Sequence, residues 1–480
     1  MIDLLLNSPP IKTVYNLAQD FSVDAFLVGG AVRDLHINAS LGSDLDFLVT
    51  GNAKPIAQQF AETYKGSSFC LDKKRSCYRA LTSHDGHLET ADFSSLMEKD
   101  LTHNLMSRDF TINSIGLRLA DIFEKKELTF IDPAHGLKDL MDNRISVTTP
   151  TSLEHDPVRI LRAVRFARKY HFTLDTSTAT LIYKFKEKIL TSPWERIRNE
   201  FFLILSQPDI SESLSDLERY GILTLLLPEC NSIQPSTKKN TSAFPLWEHT
   251  LKTAHSLALI LENIHTYFPL HAEALQSYFK EDIEGGIQRG TLLTFTALLN
   301  SLDHSGAESV SHTNPLHNHP NNLKKTIRPI TKRFKLSRNT DRTITTILLA
   351  TNQLPTLFPS KDIPERSRYR FMKDIDGPVL DTLIVALADN QAVSSVTPDE
   401  VTTLPLFETV NTLVNYYFQE FSGNTTLPLL NGDEIMRVLD LKPGEKVGKL
   451  LEMIKSAERE GSLSTKEEAL QLIISEGSED

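Results

Sequence analysis

Two aspartates and two glycines near the N-terminus have the types and spacing of a metal and phosphate site. Residues 27–34 read LVGGAVRD, an apolar strand that runs into Gly29–Gly30 and a short helix, and residues 43–47 read SDLDF. Because side chains alternate along a strand, Asp44 and Asp46 project from the same side. Carboxylates this close raise each other's pKa unless a cation lies between them. Mg²⁺, a hard ion that prefers oxygen ligands, is the expected cation.

The glycines fit a phosphate partner. They let the backbone approach a triphosphate closely, and the amides of the following helix N-terminus can point at it. The combination predicts metal-assisted nucleotidyl transfer. The alternative is a surface Asp-x-Asp beside an ordinary turn.

Composition restricts the setting. The 480 residues suggest about three domains, and three cysteines without metal or disulfide spacing indicate a reducing compartment. We find no signal-peptide pattern and no apolar run approaching the roughly 18 to 20 residues that cross a bilayer. We therefore expect a cytoplasmic protein without a membrane partner.

The charge pattern leaves room for one basic surface. The net charge of −11 argues against a protein that coats nucleic acid, although binding depends on the local potential rather than the total. Residues 159–188 contain eight lysines and arginines but only two acidic residues. This segment is the candidate phosphate-facing surface, and its alternative is a solvated helix face.

Hydrophobic patterning predicts an α+β fold, with a mixed sheet and helices in the N-terminal part and an extended all-α body after it. Apolar and β-branched runs predict strands at 25–28, 45–50, 67–71, 78–81, 88–93 and 128–131. Helical spacing predicts helices at 11–20, 54–64 and 110–119. From about residue 150 onward the helical spacing continues alone, with predicted helices at 158–170, 178–189, 194–205, 248–264, 292–302, 343–352, 380–391 and 407–421.

Further motifs follow these in order along the chain. They are SRDFTINS at 107–114, IDP at 131–133 with GLKDL at 136–140, DPVRILRAVRF at 156–166 and ERIRNE at 195–200. The series resembles the class II tRNA nucleotidyltransferase and bacterial poly(A) polymerase family, which adds CCA or A residues to RNA 3′ ends from nucleoside triphosphates without a template. LNGDEI at 430–435 extends a weaker resemblance to nearly the full length.

The resemblance implies four parts and a set of partners. The parts are a nucleotidyltransferase head at 1–140, a helical nucleotide-recognition and RNA-binding neck at 141–205, a helical body with a degenerate HD-like region at 206–400 and a helical tail at 401–480. The implied partners are the 3′ acceptor end of tRNA, CTP and ATP, with Mg²⁺ as cofactor. The oligomeric state stays open.

By resemblance, Asp44 and Asp46 are the metal ligands of a two-metal transfer. The family takes a third carboxylate from a neighbouring strand, for which LETAD at 88–92 offers Glu89 and Asp92. Three residues apart on a strand, these two face opposite sides, so only one can serve. We favour Glu89 as the third catalytic carboxylate, with a strand-end surface acid as the alternative.

Resemblance also implies the nucleotide contacts of the head. Gly29, Gly30 and Arg33 match the triphosphate contacts, since Arg33 lies one helical turn from the glycines. Arg108 and Asp109 match the motif that contacts phosphate and the ribose hydroxyls.

Base choice is expected from the segment that begins at Asp156. We expect a helix at 156–166, on which Asp156 and Arg159 are three residues apart and share a face. The carboxylate accepts from an exocyclic amine while the guanidinium donates to the neighbouring ring atom, so C and A fit and U and G leave a polar group unpaired. The resemblance makes Arg162 and Arg165 further nucleotide contacts, and an intrahelical surface pair is the alternative for Asp156 and Arg159.

Three departures from the family pattern bear on the function. His155 stands where a glutamate is common, and the segment 93–107 is short, which resembles enzymes that add only the two C residues. In the HD-like region, Asn300–Ser301 replaces the expected His-Asp pair. Amide and hydroxyl groups are poor transition-metal ligands, so we expect no hydrolase activity and a structural role for His249.

The sequence leaves CC addition, full CCA addition and poly(A) synthesis open, with CCA-end synthesis as the main hypothesis and poly(A) polymerase as its alternative. A catalytically silent RNA-binding protein would require the loss of the metal site. Both aspartates of that site are present.

Overall fold

The computed structural model describes residues 1–42, 44–73, 76–84, 87–96, 100–229, 246–300, 302, 320–358, 363–394, 398–421, 430, 432–439, 444–459, 463 and 465–477. The chain divides into two compact units. The first contains Met1–Ser236 and Pro329–Leu336, and the second contains Thr237–Arg328 and Ser337–Asp480.

A seven-stranded mixed sheet forms the centre of the first unit. Its strands are β1 (Ala25–Val28), β2 (Asp44–Val49), β3 (Ser67–Asp72), β4 (Cys77–His84), β5 (His87–Ser95), β6 (Gly116–Arg118) and β7 (Phe130–Ile131). Their order is β3-β4-β5-β2-β1-β6-β7. The β2–β5 pair is parallel and the others are antiparallel. A separate two-stranded ladder joins β8 (Arg144–Ile145) to β9 (Thr173–Leu174).

Helices complete the first unit. They are α1 (Ile2–Leu6), α2 (Pro9–Asp20), α3 (Gly30–Asn38), α4 (Ala53–Thr63), α5 (Leu101–Met106), α6 (Gly136–Met141), α7 (Ser152–His155), α8 (Arg159–Lys169), α9 (Thr176–Phe185), α10 (Trp194–Leu205), α11 (Ile210–Arg219) and α12 (Ile222–Leu226). Short 3₁₀ or π turns occur at Thr111–Asn113, Asp121–Lys125 and Lys186–Thr191.

The predicted helix at 110–119 is wrong. The structure has the turn Thr111–Asn113 followed by β6, which pairs with β1. Every residue from Asp109 to Leu117 is buried, the polar ones included. A short run that is buried on all sides cannot be assigned to helix or strand from its period alone. Gly116 lies opposite Val28 in the β1–β6 pair, and a Cβ there would lie 3.3 Å from the Val28 side chain. The absence of a side chain therefore relieves a tight contact between the two strands.

The predicted helix at 156–166 begins later than expected. Asp156 follows α7 with φ −138° and ψ 89°, and α8 begins at Arg159. Pro157 disfavours helical backbone at the residue before it. Asp156 therefore lies in the turn between two helices rather than on the face of one.

In its described residues, the second unit is helical apart from one short hairpin. Its helices are α13 (Leu246–Glu262), α14 (Ile264–Tyr267), α15 (Ala272–Lys280), α16 (Arg289–Leu299), α17 (Pro320–Arg333, whose last turn belongs to the first unit), α18 (Arg338–Leu357), α19 (Glu365–Ile375), α20 (Val379–Ser394), α21 (Pro405–Tyr416), α22 (Gly432–Leu439), α23 (Glu445–Arg459) and α24 (Lys466–Gly477). The hairpin pairs β10 (Asp282–Glu284) with β11 (Ile287–Gln288), and further turns lie at Pro398–Thr403 and Tyr417–Phe421.

The predicted α+β architecture with a helical body is confirmed. Helix α20 is buried on nearly all sides among α13, α18 and α21. The last three helices share a small apolar core that includes Leu430, Ile454 and Ile473. No helix in the described ranges is long and apolar enough to cross a membrane.

A buried polar network ties α20 to α15 and to the first residue of α16. Asp381 is 1% exposed, and Tyr278 donates a hydrogen bond to it while Arg289 forms an ion pair with it at 3.3 Å. Arg289 also stacks over the Tyr278 ring at 4.0 Å and pairs with the exposed Glu281 at 2.9 Å. Burial, followed by the Asp381 charge, raises the pKa of Tyr278, so the hydroxyl keeps its proton and donates.

We predict that Asp381→Ala lowers the free energy of unfolding by about 3 kcal/mol, because Arg289 loses its buried counter-ion. Glu281→Ala removes the exposed partner of the same arginine and should change stability little. Urea unfolding of both variants measures the difference. Equal losses for the two substitutions would contradict the assignment of Asp381 as the buried anchor.

Candidate active site

The turn between β1 and α3 has a backbone that requires glycine. Gly29 has φ 77° and ψ −131°, outside the range that side chains favour. A Cβ at Gly29 would overlap the Arg108 guanidinium and lie 3.0 Å from Asp46 Oδ2. Gly29 thus keeps a cradle open between the turn, Arg108 and the β2 carboxylates.

The carboxylates of β2 lie on one face of the sheet, as predicted. Asp44 is exposed and Asp46 is partly exposed, while Leu45 and Phe47 between and beyond them are buried. Burial raises the pKa of Asp46, Arg108 opposes that shift, and the charges of Asp92 and Asp44 add to it. Arg108 Nη1 lies 3.3 Å from Asp46 Oδ2.

Sheet register brings Asp92, rather than Glu89, to this face. In the parallel β2–β5 pair Asp46 lies opposite Asp92, and Asp44 lies opposite Thr90. Glu89, which the sequence analysis favoured, is three residues from Asp92 and so has the opposite strand parity. The side chain of Glu89 is outside the described residues, so its predicted role stays a prediction that the register does not support.

Asp92 is held by an arginine that the sequence analysis missed. Arg79 lies directly across the β4–β5 pair and donates two hydrogen bonds of 2.7 Å to the two Asp92 oxygens. Nothing in the local sequence marks Arg79, because only the strand register places it there. Asp46 and Asp92 therefore each face a guanidinium.

The donor set suits Mg²⁺. Asp44 and Asp46 supply hard oxygen ligands on one strand face beside the cradle that Gly29 keeps open. Among the described residues no three His, Cys, Asp or Glu side chains converge on one point as a metal cluster. Asp92, on the neighbouring strand, forms its ion pair with Arg79.

Arg33 lies under the glycine turn and is largely buried. Its guanidinium pairs with Asp34 at 2.8 Å, donates to Asn113 Oδ1 and stacks on the Tyr170 ring at 4.7 Å. A Cβ on Gly30 would be 3.4 Å from Arg33 Nη2. Arg33 thus supports the turn from beneath, and its predicted phosphate contact remains untested.

Asp109 is a buried anchor between the sheet and the helices that follow it. It accepts hydrogen bonds from the Phe110 amide and Asn113 Nδ2, both at 2.9 Å, and forms an ion pair with Arg162 at 2.7 Å. Burial alone would raise the pKa of Asp109, but Arg162 and these hydrogen bonds together lower it.

Two arginines of α8 share one carboxylate of α10. Arg165 lies 2.8 Å and Arg162 lies 3.4 Å from Glu200, which belongs to the ERIRNE motif. The sequence analysis assigned Arg162 and Arg165 to nucleotide contacts. In the structure their described partners are Asp109, Glu200 and the Phe166 ring, so they join helices.

Asp156 and Arg159 are close although they are not on one helix. Arg159 Nε lies 3.8 Å from Asp156 Oδ2, and Arg196 Nη2 lies 2.8 Å from the same oxygen. Arg159 also donates to the backbone oxygens of Ser107 and Arg108. Asp156 Oδ1 is buried and has no hydrogen-bond partner among the described residues.

Much of the basic segment at 159–188 serves internal contacts. Arg168 pairs with Asp216 and Lys188 pairs with Glu154, while Lys186 donates to the Tyr220 oxygen. The phosphate-facing surface expected at 159–188 stays a prediction, and at these positions the charges meet partners within the protein.

A second candidate centre lies in the second unit. His249 Nε2 is 2.9 Å from Asp389 Oδ1, and Asn300 Nδ2 donates to that same oxygen at 2.7 Å. Ser301 lies outside the described residues. An amide thus occupies a place beside the His–Asp pair, and the predicted lack of hydrolase activity stays a prediction.

Comparison with known proteins matches this architecture. Residues 25–146 match the family described as "Poly A polymerase head domain", and residues 171–234 match "Probable RNA and SrmB- binding site of polymerase A". The chain is 28% identical to the A-adding tRNA nucleotidyltransferase of Deinococcus radiodurans, covering 94% of each chain. It is also 28% identical to the CC-adding tRNA nucleotidyltransferase of a Synechocystis species, covering 96% of this chain and 97% of the relative.

Solved structures share the fold. A CCA-adding enzyme in its apo form has a TM-score of 0.61 at 20% identity, covering 98% of this chain and 96% of that one. The Thermotoga maritima CCA-adding enzyme, solved with tRNA, has a TM-score of 0.57 at 21% identity, covering 99% and 98%.

We predict that Asp109→Asn lowers the free energy of unfolding by about 2 kcal/mol at neutral pH, since Arg162 loses a buried partner but keeps Glu200. The folded pKa is below the unfolded value near 3.9, so the ionised carboxylate stabilises the fold above that value. The contribution declines as pH falls below about 4 and is lost through the folded pKa. The unfolding free energies of Asp109→Asn and the unmodified protein should therefore approach each other at the acid end of the range. Urea unfolding between pH 3 and 7 tests this.

Glu154→Gln is the matched control, because it neutralises an exposed carboxylate that pairs with Lys188. Its stability should equal that of the unmodified protein. A gap between Asp109→Asn and the unmodified protein that persists unchanged at pH 3 would refute the charge-based explanation.

Proposed function

We propose that the chain belongs to the family of tRNA nucleotidyltransferases and bacterial poly(A) polymerases, whose members it resembles, and that it adds nucleotides from CTP and ATP to the 3′ end of tRNA without a template. The chain is a nucleotidyltransferase. The observation that carries the proposal is the shared face of Asp44 and Asp46 beside the Gly29 cradle, with Arg108 above it.

Asp44 and Asp46 would hold Mg²⁺, which when bound neutralises triphosphate charge and lowers the pKa of the attacking hydroxyl. Arg108 suits the triphosphate. Its Nε is buried without a hydrogen-bond partner among the described residues, and its Nη1 contact to Asp46 is long. A phosphate oxygen would satisfy this donor with a charge-assisted hydrogen bond.

Base selection rests on Asp156. Its unpartnered Oδ1 needs a donor, and the exocyclic amines of cytosine and adenine provide one. Uracil and guanine present a carbonyl on the corresponding edge and would leave this oxygen unsatisfied at a cost of roughly 1–3 kcal/mol. Arg159 and Arg196 fix the orientation of the carboxylate from its other oxygen.

We propose CC addition as the specific activity. The segment 93–107 is short. It contains the end of β5 and the whole of α5, and residues 96–100 connect these two elements. A short connection here was the sequence feature that favoured addition of C alone. Addition of the terminal A is the second candidate, which the A-adding relative from D. radiodurans supports. Long poly(A) synthesis is the remaining outcome of the test.

The four-part division at residues 140, 205 and 400 and a cytoplasmic location belong to the same proposal. The tail is the clearest part, since α22, α23 and α24 pack around an apolar core of their own.

The decisive assay supplies labelled CTP or ATP separately to tRNAs that lack CCA, CA or A. We expect C addition to the first substrate and no extension of tRNA ending in CC with ATP. Asp46→Asn should lower kcat by at least about a hundredfold, since a carboxylate ligand is lost. Transfer of A to tRNA ending in CC at a comparable rate would replace CC addition by the second candidate, and transfer to no RNA would overturn the function.

Kinetics of substituted variants can distinguish whether Asp92 or Glu89 is the third catalytic carboxylate. We expect Asp92→Asn to lower kcat by about a hundredfold and Glu89→Gln to leave it near the unmodified value, because register brings only Asp92 to Asp46. Arg79→Gln removes the Asp92 ion pair but keeps the carboxylate, and it should retain more activity than Asp92→Asn. A larger loss from Glu89→Gln would restore the original assignment.

A further inference from the structure

A basic cluster forms where a distant segment returns to the first unit. Pro329–Leu336, the end of α17 and the turn after it, groups with the first unit although Thr237–Arg328 intervenes in the sequence. Lys332 and Lys335 of this segment are exposed. With Arg198 of α10 they make up what we call the α17 cluster.

The fold fixes this segment firmly. The Lys335 amide donates to the Lys332 oxygen at 3.1 Å and the Leu336 amide donates to the Thr331 oxygen at 2.9 Å, the two hydrogen bonds of a Schellman helix end. Phe334 is fully buried, with its ring 5.2 Å from that of Trp194 and 5.5 Å from that of Phe201.

Ion pairs and hydrogen bonds add to this apolar contact. Arg333 forms a bidentate pair with Glu229 at 2.6 and 2.9 Å. Arg198 Nη1 donates to the Lys335 oxygen at 3.2 Å. The position of Lys335 relative to α10 is therefore set by the backbone rather than by a mobile side chain.

The charges of this segment are not balanced locally. From Pro320 to Thr340 the sequence has seven basic residues and no acidic one, in a chain of net charge −11. They are Lys324, Lys325, Arg328, Lys332, Arg333, Lys335 and Arg338. Arg333 has Glu229, but Lys332 and Lys335 have no carboxylate partner within the described residues. Like charges grouped in this way favour an anionic partner.

Lys335 stands at a position whose backbone favours glycine. Its φ of 55° is left-handed, and glycine is the usual residue at this place in a Schellman motif. A lysine there costs backbone energy, as it does at Lys65 and Lys126, which also have a left-handed φ.

The cluster and the Asp156 carboxylate contact the same helix. Arg196, which contacts Asp156 at 2.8 Å, and Arg198 are two residues apart on α10. Residues two apart on an α-helix project to nearly opposite sides, so the two arginines lie on different flanks of α10. A polynucleotide whose end reaches Asp156 would meet the cluster by passing around this helix.

We propose that Arg198, Lys332 and Lys335 bind the phosphodiester backbone of the RNA substrate, which extends the RNA-binding surface beyond residues 171–234 to a segment that returns from 329–336. The inference rests on the proposed function. Lysine and arginine side chains that contact phosphates supply affinity and register without reading sequence. The binding is consequently independent of base identity and sensitive to salt.

The first test measures RNA binding by fluorescence anisotropy over a range of salt concentrations, with the full chain and a labelled tRNA that lacks CCA. We expect Lys332→Glu/Lys335→Glu to weaken Kd on the order of tenfold or more at low salt and to reduce the slope of log K against log salt by about two. The KM for RNA should rise while the KM for CTP stays unchanged. Lys12→Glu/Lys54→Glu, which makes the same charge change on the exposed faces of α2 and α4, should bind RNA almost normally.

The second test separates binding from a structural role. Lys335→Gly should leave the midpoint of thermal unfolding equal or higher, because glycine relieves the left-handed backbone, and it should weaken RNA binding by several-fold. A lower midpoint with unchanged RNA binding would overturn the proposal, as would normal binding by the double variant.

Failure of this inference differs from failure of the proposed function. Transfer to tRNA with unchanged binding by the double variant would refute only the α17 cluster. Salt-sensitive RNA binding that depends on the cluster, in a protein that transfers no nucleotide, would support the cluster and refute the function.

Discussion

The ion pair between Asp109 and Arg162 is the contact on which the arrangement of the first unit depends. Asp109 follows Arg108, the residue that lies over the Gly29 cradle, and it is buried against the sheet. Through Arg162 it fixes α8, and through Arg162 and Glu200 it also fixes α10. The segment beside the Gly29 cradle and helices α8 and α10 are thus connected through Asp109, Arg162 and Glu200. A buried pair of this kind provides geometric precision more than net stability.

One face of the sheet holds three carboxylates that repel one another. Asp44, Asp46 and Asp92 are brought together by strand register, and the protein places Arg108 and Arg79 against two of them. Each guanidinium holds a carboxylate in place while compensating its charge. Substrate phosphates and a divalent cation can exchange partners within this set, since both signs of charge are already present at the site.

Sequence patterns predicted the parts of this protein that depend on local spacing. The strand at 25–28, the helix at 194–205 and the shared face of Asp44 and Asp46 follow from alternation and helical period. The pairing of Asp92 with Arg79 could not be predicted in this way, because it depends on which strands become neighbours. The internal roles of Arg162 and Arg165 were also missed: a basic helix looks the same in sequence whether its charges meet solvent or a carboxylate from another helix. The misplaced helix at 110–119 has the same origin, since burial on every side removes the periodic signal.

The return of residues 329–336 to the first unit has a consequence for how the protein is made. Phe334 covers the aromatic side chains of Trp194 and Phe201, which precede it by more than a hundred positions. During synthesis on the ribosome, the N-terminal unit cannot complete its core until the whole intervening stretch has emerged. The nascent chain therefore carries these aromatic side chains without their Phe334 cover until residues 329–336 arrive.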